Sequence, residues 1–225
     1  MADAAEKPQA GTNQRADVDD SADLDDDNDR VIGLSDGVFA FAMTLMVLQF
    51  DVPSPDRVAA TDVAHEVLKQ WPSFMAYAIS FFMVANYWIV HHRIFRDIKS
   101  HDATLLWLNI LCLFTISFLP FPTDVMGEYS ESAFATSFYA VSMAATSLIL
   151  TLIVWYASRD RRLTRKEITP RQLQYNLLRG FGVSAVFLLS IGIALVSPIG
   201  TRYFWLLLFP YQHLLNRAYR DVRID

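Results

Sequence analysis

The chain has 225 residues, 53% of them hydrophobic and 13% aromatic, with a mean hydropathy of +0.24, and its apolar residues fall in blocks long enough to cross a bilayer, which excludes a simple soluble domain. Its net charge of −5 is unevenly spread: residues 1–29 hold ten acidic residues against Lys7 and Arg15, so the remainder is mildly basic. Cys112 is the only cysteine, which excludes an intrachain disulfide and reads as a packing residue.

The acidic stretch 1–29 lacks the basic start and apolar run of a secretory signal and is poor in aromatics, so it predicts a retained, disordered cytoplasmic tail. Such a tail is either simply solvated or raises the cation concentration at a pore mouth.

Beyond it, apolar runs of at least about 17 residues predict six transmembrane helices at 31–50, 71–90, 104–121, 134–157, 177–196 and 199–215. The first is closed by Pro53 and Pro55, the third by Pro120 and Pro122 and the fifth by Pro198, and the last two share a connection so short that they form an antiparallel hairpin. Residues 30–217 thus make one membrane domain, followed by a short basic cytoplasmic C-terminus at 218–225, with no room for a further folded domain.

Loop charges orient the bundle. One side receives Arg93, Arg96 and Lys99, the run from Arg159 to Arg179, and Arg217, Arg220 and Arg223; the other receives only Arg57, Lys69 and Arg202. By the positive-inside rule both termini are cytoplasmic in a multi-pass protein of the cell membrane. No internal repeat relates the first three helices to the last three, which weakens an inverted-repeat transporter.

Polar residues at membrane depth are costly and mark functional positions. In Arg30-Val-Ile-Gly-Leu-Ser35-Asp36-Gly37, Ser35 or Asp36 could cap a helix beginning at Gly37, but that helix would be too short to span, so Asp36 is placed more than a turn inside. A second cluster, Trp88, His91, His92, Asp97, His101 and Asp102, offers metal-ligand types. Adjacent histidines diverge by about 100° on a helix and do not readily share one ion, so no metal is expected. Asn109 is the amide deep in the third helix and suits interhelical hydrogen bonding.

Nothing in the chain matches a Gly-x-Ser-x-Gly elbow, a Gly-rich phosphate loop or His-Glu-x-x-His, so no catalysis, cofactor or nucleic-acid partner is expected. The Thr-Val-Gly-Tyr-Gly carbonyl filter of familiar potassium channels is also missing, so any pore must be lined by side chains. Phe41, Thr44 or Leu45, and Leu48 share one face of the first helix below Asp36.

At these residues a resemblance enters. Arg30-x-x-x-Leu34-Ser35-Asp36-Gly37-Val38-Phe39-Ala40, followed by Thr44-Leu45, resembles the Arg-x-x-x-Phe-Ser-Asp signature of the bacterial relatives of the endolysosomal potassium channel called transmembrane protein 175. Trp88-x-x-His91-x-Arg93-x-Phe95, Asp102-x-x-Leu105-Leu106-Trp107-Leu108-Asn109 and Ile116-Ser117-Phe118-Leu119-Pro120-Phe121-Pro122 follow in that family's order and spacing. The resemblance covers the first three helices; the last three agree only in number and hydropathy.

The resemblance implies an all-α membrane subunit with six transmembrane helices, assembled as a homotetramer in which helix one lines a central potassium-conducting pore. It implies Phe41, Thr44, Leu45 and Leu48 as the pore lining and constriction, and Arg30, Ser35, Asp36, His91 and Asn109 as an interhelical polar network at the cytoplasmic end. Two positions depart from the pattern: Leu34 stands where the family has Phe, and Phe41 where it has Ile or Leu at the narrowest layer. The partners implied are potassium ions, membrane lipid and further copies of the chain. The competing readings are a proton-coupled or small-solute transporter, which needs helix breaks at mid-membrane, and a membrane metalloenzyme using His91 or His92.

Overall fold

A computed structural model describes residues 11–220 apart from 57, 99, 160–162 and 164–168, with side chains from 28 onward except 209. The regular elements along those residues are all helices. The elements are α1 (Gly11–Leu45, continued by a 3-10 turn Met46–Gln49), α2 (Val63–Lys69), α3 (Trp71–Asp97), α4 (Ala103–Phe118), α5 (Pro120–Glu128), α6 (Ala133–Arg159), α7 (Pro170–Ala194), α8 (Pro198–Trp205) and α9 (Leu208–Ala218).

Five helical stretches are long and apolar enough to cross a membrane: Asn28–Gln49, Trp71–Asp97, Ala103–Glu128, Ala133–Arg159 and Pro170–Ala194. Their outward surface is that of a membrane protein, with Phe82, Trp107, Phe114 and Leu189 each about two-thirds exposed where a soluble fold would place charge. Cys112 is fully buried in the core, as a packing residue should be.

Three boundaries differ from the expectations, each for a physical reason. Residues 1–10 of the acidic stretch lie outside the described residues, but from Gly11 the stretch continues α1 rather than forming a disordered tail. Once the apolar span has nucleated the helix, propagation adds one hydrogen bond per residue.

The third span does not stop at Pro120. Proline is tolerated in the first turn of a new helix, and the chain bends at Leu119 and runs on as α5 to Glu128. The Thr123 amide and hydroxyl both donate to the Leu119 carbonyl, at 3.2 and 2.8 Å, and carry the helix past the break.

The sixth segment is not one helix. Pro210 has no N–H and its ring excludes the carbonyl four residues back, that of Leu206. The amides of Leu206 and Leu207 instead bond three residues back, to Tyr203 and Phe204 at 3.1 and 3.0 Å, and separate α8 from α9. Both halves still run antiparallel along α7: the Trp205 Nε1 donates to Ser190 Oγ (2.9 Å), the Tyr211 hydroxyl to the Leu178 carbonyl (2.6 Å) and the Tyr175 hydroxyl to Asn216 Oδ1 (2.6 Å).

α1 packs on α3 and α4, and α6 joins that group to α7. The α6–α7 seam is close because Gly180 has no side chain: a Cβ there would lie 2.9 Å from the Cβ of Thr151, and Ser147 donates to the Gly180 carbonyl at 3.1 Å. Gly180→Val is therefore expected to lower stability by about 1–3 kcal/mol, read as a fall in melting temperature of the detergent-solubilised protein. A wild-type melting curve would mean the seam can open at no cost.

Candidate functional site

α1 has two faces. Ser35, Phe39, Ala42 and Met46, at helical spacing, are buried in the subunit core. About half a turn away, Leu34, Phe41 and Leu48 are 62%, 64% and 73% exposed, Thr44 is exposed between them, and Gly37 faces open space. Leu45 is only half-buried and sits at the edge of this stripe. The sequence left Thr44 and Leu45 as alternatives; Thr44 is the more exposed of the two.

The Thr44 hydroxyl donates to the Phe41 carbonyl of its own helix at 2.9 Å. That spends its proton on the backbone and leaves the oxygen lone pairs directed away from the bond, available to a cation. A hydroxyl oxygen between two apolar residues, one turn from each, is what side chains alone can offer a dehydrated cation on this helix.

On the opposite face, Ser35 donates to the Val31 carbonyl at 2.8 Å and accepts from Asn109 Nδ2 at 3.2 Å, while Asn109 Oδ1 meets His91 Nε2 at 2.8 Å. Because the carbonyl of Val31 can only accept, the chain of donors has one direction, and it requires the proton of His91 on Nε2. His91 is stacked on Phe95 (4.3 Å between centroids) and tilted against Phe39 (5.3 Å). One buried, satisfied path of hydrogen bonds thus ties α1 to α3 and α4.

Asp36 is not part of that path. Its Oδ1 accepts from Trp88 Nε1 at 2.7 Å and lies 3.5 Å from His92 Nδ1, on a half-exposed side of α1. The two adjacent histidines diverge accordingly, one to Asn109 and the other to Asp36. Trp88 and His92 are four residues apart and so share a helix face; that spacing was visible in the sequence, but not which helix the face meets. Arg30 is exposed, and no hydrogen bond or ion pair joins it to the other four network residues among the described residues. The expected five-member network is therefore two clusters, Ser35–Asn109–His91 and Asp36–Trp88–His92, with Arg30 in neither.

Two arginines read as loop charges are engaged by the bundle, Arg179 half-buried and Arg202 buried. Arg179 donates to Asn86 Oδ1 at 2.8 Å from the third turn of α7, and Arg202 is buried in α8. At the end of α1 away from Asp36, the Asp51 amide donates to Gln70 Oε1 (3.0 Å) and Gln70 Nε2 to the Asp51 carbonyl (2.8 Å), clamping the helix end to the start of α3. A cavity of about 710 Å³ opens there, lined by Asp51, Glu66 and Glu128, with Lys69 paired to Glu66.

Comparison with known proteins follows the same stretch. The family model of the endosomal/lysosomal potassium channel TMEM175 matches residues 30–120. A potassium channel of Streptomyces collinus is 32% identical over 172 residues, covering 75% of this chain and 82% of the relative. The chain belongs to the TMEM175 family. A potassium channel of Chamaesiphon minutus, 33% identical over 184 residues, covers 76% of this chain and 91% of the relative. The crystal structure of a lysosomal potassium-selective TMEM175 homologue from Chamaesiphon minutus superposes with a TM-score of 0.73 at 26% identity, over 85% of this chain and 99% of that one. The matched residues coincide with the stretch from Arg30 to Pro120 that carries both α1 faces and both polar clusters. TMEM175 proteins are a channel family and not an enzyme family, and the helices described here make this member a multi-pass membrane protein.

Proposed function

We infer that the chain is a subunit of a potassium channel and that α1 of each copy lines a shared pore. The observation that carries this is the exposed stripe Leu34, Gly37, Phe41, Thr44 and Leu48 on a helix whose opposite face is fully engaged in the core. The likeness to potassium channels of Streptomyces collinus and Chamaesiphon minutus supports the permeant ion.

Four copies around one axis would stack the stripe into layers: Leu34 toward the Asp36 end, a bare Gly37 layer, a Phe41 ring, Thr44 hydroxyls, and Leu48 with Leu45 at its margin. The Phe41 ring would close the path by excluding water, and the Thr44 oxygens would replace part of a cation's hydration shell. Asp51, Glu66 and Glu128 in the cavity at the far end of α1 would concentrate cations before they reach the axis. Pro198–Ala218, antiparallel to α7 along much of its length, makes the sixth crossing as two half-helices. That gives both termini to the cytoplasm of a bacterial-type cell membrane, the side with the basic loops. The acidic residues before Asn28 would then lie on that same side.

The test is flux from liposomes carrying opposed potassium and sodium gradients. Thr44→Ala is expected to lower the potassium-to-sodium preference by about threefold or more, equivalent to about 0.7 kcal/mol. An unchanged preference would remove Thr44 from the pore.

A further inference from the structure

Arg202 is 8% exposed, in the first half of the broken sixth segment. Its Nη2 donates to the carbonyls of Met126 (3.0 Å) and Ser130 (2.8 Å), which pins the α5–α6 connection to α8. Its Nε is buried without a hydrogen-bond partner, and no carboxylate pairs with the guanidinium among the described residues. A guanidinium does not shed its proton in a protein, and two carbonyl dipoles only partly offset a buried positive charge.

The same side chain lines a cleft of about 220 Å³ between α3 and the α8–α9 pair. The other walls are mostly apolar, Ala78, Ile79 and Phe82 from α3 and Trp205 and Leu208 from the sixth segment, with Asn86 and Gln212 as the polar exceptions. Phe82 is 65% exposed and the adjoining Leu206 49% exposed, so the cleft opens on the outer surface of the bundle, the surface that faces hydrocarbon.

We propose that this cleft is a binding site for an anionic phospholipid, whose phosphate pairs with Arg202 and one of whose acyl chains lies between α3 and α8–α9. The charge and the apolar walls together select this occupant. A free inorganic anion makes no use of the walls, a neutral hydrocarbon chain leaves the guanidinium unpaired, and an amphiphile with a negative head satisfies both. Arginine suits a phosphate because its donors form a fixed fork. By loop charge the site belongs to the leaflet opposite the basic loops. The lipid would hold α8 against α3 and brace the outer end of the subunit, away from α1.

The experiment uses the full chain, purified and delipidated in a mild detergent, with dioleoyl phosphatidylglycerol, dioleoyl phosphatidylcholine, oleate and inorganic phosphate as separate probes. Native mass spectrometry and the melting temperature are the readouts. Phosphatidylglycerol is expected to be retained at one molecule per subunit and to raise the melting temperature; phosphatidylcholine, whose choline cancels the head charge, is expected to bind more weakly, and inorganic phosphate to do nothing. Ala78→Phe, which fills the cleft and leaves Arg202 and its carbonyl bonds in place, is expected to weaken phosphatidylglycerol binding by about tenfold. Ile79→Trp fills the same cleft should the first variant fail to fold. Retention of phosphatidylglycerol by either folded variant at the wild-type level overturns the proposal. So does equal binding of the two phospholipids, an equal shift with inorganic phosphate, or the absence of any lipid on the wild-type oligomer, which would make a neighbouring subunit the counter-charge. Oleate binding as well as phosphatidylglycerol would overturn the assignment of a phosphate headgroup.

Discussion

Phe41→Ala is expected to raise potassium flux by at least about tenfold in the gradient assay. A symmetric pore repeats every substitution in each subunit, so in a four-fold assembly four phenyl rings leave the axis at once. Phe41 is 64% exposed in the subunit and no core contact depends on it, so its loss costs the fold little and the effect falls on the pathway. A ring of apolar side chains resists an ion because water does not stably fill it. Reducing that barrier by only about 1.4 kcal/mol gives a factor of ten in rate. Replacing four phenyls by methyls both widens the axis and lets water in. The sign is the informative part: a rise with reduced discrimination against sodium identifies Phe41 as the constriction. A fall, with unchanged melting behaviour, would mean the ring is needed to hold neighbouring α1 helices together, and the narrowest layer would have to be sought at Leu34 or Leu48.

Much of this site was legible in the sequence because the costs that shape it are local. Each of the first five spans is an apolar run too long to have another use, and the two faces of α1 follow from helical spacing once Ser35 and Asp36 are recognised as lying inside the helix. Asn109 was identifiable from its depth as an interhelical hydrogen-bonding residue, and its membership of one network with His91 was implied by the family resemblance. What the sequence could not supply was which helix each polar group meets. Asp36 and Ser35 are adjacent, yet a rotation of about 100° sends one to Trp88 and the other to Asn109. Arg30 shares the motif but not the neighbourhood.

Two of the misread boundaries turn on proline. Taken as a stop, Pro120 ended the third span where the helical chain runs on into α5. Hydropathy, which averages over a window and does not register a missing amide, passed through Pro210 on the C-terminal side of the α8–α9 break. Arg179 and Arg202 were counted as loop charges because charge near a predicted helix end is usually solvated. What draws them to the bundle is acceptors from distant segments, Asn86 for the half-buried Arg179 and the Met126 and Ser130 carbonyls for the buried Arg202.

Asn109→Leu is expected to destabilise the subunit by about 1–3 kcal/mol while leaving the potassium-to-sodium preference of the folded channel intact. Leucine keeps the branching and heavy-atom count of asparagine, so the cost is chiefly that of polarity: His91 Nε2–H loses its acceptor and Ser35 Oγ loses a donor, both in a site that water does not reach. The melting temperature should fall by several degrees. Trp88→Phe removes a hydrogen bond to the half-exposed Asp36, where water can take over, and should cost less, about 0.5–1.5 kcal/mol. The ranking follows from the two faces of α1. Ser35, Asn109 and His91 fix the side of the helix turned into the subunit, and through it the rotation that presents Phe41 and Thr44 outward. A variant that melts like wild type would show that the hydrogen-bonded path carries no stability. One that melts normally but loses selectivity would move Asn109 from the support of the pore helix to the pore itself.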